Sequence, residues 1–83
     1  MRLVFLGRFR ELAGPHLSDL VLPREVNSLS GLNDWLAKSE PVLAQALVGA
    51  RIQFAVNQTI VRDPAHPIRD SDEVAFLPPM SGG

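Results

Sequence analysis

The sequence predicts an α+β domain: a mixed sheet of about five strands with one main helix and one short helix on a single face. Three observations carry this expectation. Short apolar runs recur near both ends of the chain, whereas leucines at helical spacing occupy its middle. Two strand-like stretches precede the helical region and three follow it, an order that places a helix across a sheet rather than alternating strand and helix units. The chain has 83 residues, which is one domain with one modest core, because a domain this small buries only about 60% of its unfolded surface.

Leu3-Val4-Phe5-Leu6 reads as a first strand, apolar at every position. Gly14-Pro15 breaks the chain, and residues 18–22 alternate polar and apolar like a second strand until Pro23 stops them. Ser28 is placed to cap a helix by accepting an orphan amide proton. Leu29, Leu32 and Leu36, with Trp35 beside them, form its apolar stripe. Gly31 costs this helix up to about 1 kcal/mol relative to alanine. Pro41 opens a second, shorter helix, where its missing amide is harmless, and Gly49 closes it. Ile52, Phe54 and Val56 share one face of the next strand, Asn57-Gln58 is a turn, and Thr59-Ile60-Val61 returns as its partner. Pro64 and Pro67 enforce a loop, Asp70-Ser71-Asp72 makes a turn, and residues 73–77 form the last strand.

A right-handed crossover through the helix places the last strand beside the first. That arrangement is the β-grasp, or ubiquitin-like, roll, expected over residues 1–77 with a C-terminal tail at 78–83. Composition narrows the function. Net charge is -1 with no basic run, so nothing recruits nucleic acid. The apolar stretches are too short and interrupted for a membrane span or a signal peptide, and a cytoplasmic location is expected. Cysteine is absent, which excludes a thiolate metal site or a cysteine nucleophile. His16 and His66 lack metal-site spacing, and Asp70, Asp72 and Glu73 lack the further ligands and glycine of a calcium loop, so no metal is expected. No glycine loop suited to a nucleotide is present, and no permanently bound cofactor is expected.

Two features carry chemistry. The first and last strands are apolar on both faces, contrary to the alternation of a sheet covered on one side only. Leu6, Ile60 and Leu77 then either form an exposed patch of the kind that marks a partner interface or are covered by loops. The second feature is the end of the chain, Pro78-Pro79-Met80-Ser81-Gly82-Gly83. Two prolines end the strand and favour extended geometry. Six extended residues reach about 20 Å. A glycine carboxylate at such a tip fits a narrow active site, because no side chain obstructs its approach. Carboxylate acylates nothing until activated, and this chain has no means of activating it. Another protein must supply the nucleotide.

The segments Phe9-Arg10-Glu11-Leu12-Ala13-Gly14, Ala55-Val56-Asn57-Gln58-Thr59-Ile60-Val61 and Asp72-Glu73-Val74-Ala75-Phe76-Leu77-Pro78-Pro79-Met80-Ser81-Gly82-Gly83 resemble the small, MoaD-type sulfur-carrier subunit of molybdopterin synthase. The likeness runs end to end, apart from Ser71 where glycine is usual and Gly31 within the helix. It implies a carrier that is not catalytic alone. A ubiquitin-activating-like adenylyltransferase would use ATP to adenylate Gly83, which is then converted to a thiocarboxylate. Met80, Ser81 and Gly82 would thread into the large catalytic subunit of an expected heterotetramer, where sulfur passes to cyclic pyranopterin monophosphate. Leu6, Ile60, Leu77, Pro78 and Pro79 would match the partner surface. Alternatives are a carrier for thiamin-thiazole or tRNA thiolation, and a ubiquitin-like binding module or protein modifier.

Overall fold

The computed structural model describes residues 1–78. In chain order these form β1 (Arg2–Phe5), the short helix α1 (Phe9–Leu12), a 3-10 turn (Pro15–Leu17), α2 (Leu29–Ser39), α3 (Pro41–Gly49), β2 (Gln53–Val56), β3 (Thr59–Val61) and β4 (Glu73–Leu77). The four strands make one mixed sheet in the order β1-β4-β2-β3. β1 and β4 lie side by side and run parallel, and the β4–β2 and β2–β3 pairs are antiparallel.

The helices begin where their chemistry directs. Ser28 is extended, and its Oγ accepts from the Gly31 amide at 3.1 Å. A methyl group at Gly31 would lie 3.3 Å from that oxygen. The glycine therefore makes room for the cap. The next orphan amides of α2 donate to the loop before β4: Leu29 N–H to the His66 carbonyl at 3.1 Å and Ser30 N–H to Pro64 at 2.9 Å. Pro41 opens α3 at its first turn.

Leu29, Leu32 and Leu36 of α2 and Leu43 and Leu47 of α3 pack on Leu3, Phe5, Val56, Val74 and Phe76 of the sheet, all buried. The strand register aligns Phe5, Phe76, Phe54 and Val61 in one row across this inner face. Phe5 and Phe76 stack with centroids 4.5 Å apart, and Phe54 meets Phe76 edge-on at 5.3 Å. Each such aromatic pair adds about 0.5–1.5 kcal/mol beyond its burial.

The predicted second strand does not form. Residues 18–22 lie outside the sheet, which has four strands rather than about five. The 3-10 turn buries Leu17 completely and carries the chain past β1. Only Leu20 pairs with the first strand's start, donating its N–H to the Met1 carbonyl at 2.9 Å and accepting from the Met1 ammonium at 2.7 Å. The next donor that a ladder would use, the Leu22 amide, goes to Asp70 Oδ1 at 2.7 Å instead. Among the described residues no helix is long and apolar enough to cross a membrane.

Candidate functional site

The side of the sheet away from the helices holds the sequence-predicted surface. In the register, Val4, Ala75, Ala55 and Ile60 form one row across all four strands. In the adjacent row Leu77 stands opposite Gln53, and Leu6 follows Phe5 at the end of β1. Leu6 is 41% exposed and Ile60 45% exposed, while Leu77 is half-buried. The three residues singled out by strand parity therefore lie on one outer face, opposite the phenylalanine row. Val4, Ala75 and Ala55 complete that face. Ala55 escaped the sequence reading because a small residue gives no hydrophobic signal of its own. At the far edge, Arg2 and Glu73 are paired in register, with an ion pair of 3.7 Å.

This face runs to the root of the tail. Pro78, directly after Leu77, is half-buried. Beside it the chain turns from β1 into α1 at Gly7, whose φ of 62° is left-handed. A methyl group added at Gly7 would stand 3.6 Å from Pro78 Cγ. Pro79, Met80, Ser81, Gly82 and Gly83, which carry the predicted tail chemistry, lie outside the described residues.

At the other end of β4 a hydrogen-bonded cluster fixes the strand. The β2–β3 hairpin turns through Asn57 and Gln58, with φ of 50° and 69°. Both values are positive, as a type I′ turn requires. Asn57 accepts from the Glu73 amide at 3.0 Å through Oδ1 and donates to Asp72 Oδ1 at 2.9 Å. Asp72 Oδ2 accepts from the Arg69 amide at 2.8 Å. The Asn57 side-chain amide, with the Arg69 amide behind it, holds the Asp72 carboxyl below its ordinary value of 3.8. Asp70 is likewise lowered, first by the Leu22 amide and then by the Met1 ammonium at 3.2 Å. The acidic turn at 70–73 is thus committed to bracing strands.

A family model described as the ThiS family matches residues 3–83. The chain belongs to the ThiS family. It is 34% identical over 83 residues to the molybdopterin synthase sulfur carrier subunit of Escherichia coli strain K12, covering 100% of this chain and 99% of that protein. It is 28% identical over the same span to the Haemophilus influenzae protein of that name, again covering 100% and 99%. Among solved structures, it superposes on a chain of the complex of subunits 1 and 2 of molybdopterin-converting factor from Helicobacter pylori. The TM-score is 0.67 at 23% identity, over 98% of this chain and 95% of that one. SAMP1 from Haloferax volcanii superposes with a TM-score of 0.71 at 20% identity, over 98% and 96%. These two likenesses establish the ubiquitin-like fold that this ThiS-family chain adopts.

Proposed function

We propose that this ThiS-family chain is the sulfur carrier subunit of a molybdopterin synthase. The observation that carries the proposal is the apolar outer face, which leads through Ala75 and Leu77 of β4 to Pro78 at the root of a glycine-ended tail. The end-to-end likeness to two sulfur carrier subunits of that synthase supports it. In this reading a separate adenylyltransferase joins the Gly83 carboxylate to the AMP portion of ATP and releases pyrophosphate. A sulfur nucleophile then displaces AMP, leaving a C-terminal thiocarboxylate. The outer face, through Leu6, Ile60 and Leu77 with Pro78 and Pro79, docks on the large synthase subunit. Met80, Ser81 and Gly82 thread the thiocarboxylate to its acceptor, cyclic pyranopterin monophosphate. The small-residue tip lets backbone pass where a side chain would clash.

The test is intact-mass measurement after incubation with the adenylyltransferase, ATP and a sulfur source. One sulfur should replace one oxygen at the terminus, and absence of that species would sink the proposal. Removing Gly83, or adding one residue after it, should abolish sulfur transfer and leave the circular-dichroism spectrum unchanged. Product formation from cyclic pyranopterin monophosphate with the large subunit separates this role from other thiolation pathways.

A further inference from the structure

Beside the tail root lies an open cleft of about 440 Å³ lined by Arg8, Phe9, Gly49, Ala50, Arg51 and Pro78. We propose that Arg8 and Arg51 make this cleft a recognition site for acidic side chains at the rim of the pocket that receives the tail. The inference rests on the carrier reading above and adds the chemistry that the partner must present.

Four observations support it. First, among the described residues the cleft holds two cations and no carboxylate, although the chain as a whole carries a net charge of -1. Among the described residues the ion pairs are Arg2–Glu73, His16–Glu40 and Met1–Asp70, and neither cleft arginine joins one. Second, Arg8 is held in place without an acid: its guanidinium carbon lies 5.4 Å from the centroid of the Phe9 ring, and Phe9 is fully buried. The charge is pre-positioned, and among the described residues no acid pairs with it. Third, Arg51 is exposed and has a φ of 50°, a left-handed conformation that glycine adopts without strain. This left-handed step directly after the α3 C-cap sets the Arg51 side chain at the cleft. Fourth, the cleft is continuous with the proposed docking face, since Arg8 follows Leu6-Gly7 and Pro78 follows Leu77. Charged groups at the rim of an apolar patch set orientation and association rate.

Stopped-flow association with the large molybdopterin synthase subunit from the same organism tests the assignment. Arg8→Gln/Arg51→Gln should associate about three- to tenfold more slowly at low salt, and the difference should vanish near 0.5 M salt, where screening is nearly complete. Arg51→Gly should also slow association while raising thermal stability; an unchanged rate would leave Arg51 a backbone role and overturn its part. Arg24→Gln, an exposed cation outside the cleft, should match the wild type. If the double variant keeps the wild-type rate and salt dependence, the cleft is no recognition site, and the carrier reading stands on the binding observed. If the wild-type chain fails to bind the large subunit, the carrier reading falls and this inference with it.

Discussion

Asn57 offers the sharpest test of how the tail-bearing strand is braced. It occupies a left-handed position in the hairpin turn, and its side chain makes two hydrogen bonds to the start of β4. Two substitutions separate these roles. Asn57→Gly keeps the backbone conformation and removes both side-chain bonds. Each bond is exposed, so each belongs at the lower end of the usual 0.5–1.5 kcal/mol, and the glycine variant should lose about 1 kcal/mol. Asn57→Ala removes the same bonds and keeps a Cβ in left-handed geometry, which asparagine tolerates better than alanine because its side chain hydrogen-bonds locally. That geometry costs about 1–2 kcal/mol, part of which glycine's own flexibility offsets, so alanine should lose about 2 kcal/mol in all. In a domain of this size each kcal/mol lowers the melting temperature by about 4–8 °C. Urea denaturation followed by circular dichroism reads both variants on one scale. Alanine no worse than glycine would refute the strain argument, and two variants as stable as wild type would refute the brace itself.

Acid should weaken the same end of the sheet. The Asp70 and Asp72 carboxyls are lowered in the folded chain, so their contribution is full above the unfolded value. It is lost as pH falls through the lower folded values. Melting temperatures measured from about pH 5 to pH 2 should fall, and Asp72→Asn should flatten the dependence; an unchanged profile in that variant would count against Asp72. At the tail root, Gly7→Ala should cost about 1–2 kcal/mol through its left-handed backbone, and Gly7→Asn less. Equal losses in chemical denaturation would move the cost to the Pro78 contact. On the outer face, Leu77→Glu should weaken binding to the large subunit tenfold or more, with a stability loss below about 1 kcal/mol. Its inward neighbour behaves differently: Phe76→Ala should cost about 3–5 kcal/mol. Unfolding of the Leu77 variant would mean that this side chain belongs to the core.

What was legible in the sequence was set by local chemistry. The Leu29, Leu32 and Leu36 stripe, the Ser28 cap and the proline start of α3 all involve partners within a few residues, and each stands where expected. Strand parity was equally readable, because a period of two assigns Phe76 and Leu77 to opposite faces whatever the neighbours are. The second strand failed because alternation records which side chains turn inward, not whether a backbone neighbour is free to pair. Leu17 is buried, and Leu20 and Leu22 pack against the core as half-buried residues without a ladder. The helix α1 is four residues long, too short for any periodic signal. The Arg8–Arg51 cleft was invisible for a different reason: its two cations are more than forty positions apart, and only the fold makes them neighbours.

The place of β4 in the sheet has a consequence for how the protein is made. The strand nearest the C-terminus sits in the interior, between β1 and β2, and its partner β1 lies about seventy residues away along the chain. Until residues 73–77 are available, β1 has no neighbour and the phenylalanine row lacks its central ring. Contacts this distant in sequence close late and slowly. A nascent or prematurely ended chain therefore lacks the complete sheet, the core its short helices pack on and the apolar face. Strand β4 is the keystone of the sheet, so a chain able to dock is one that already carries the root of its tail.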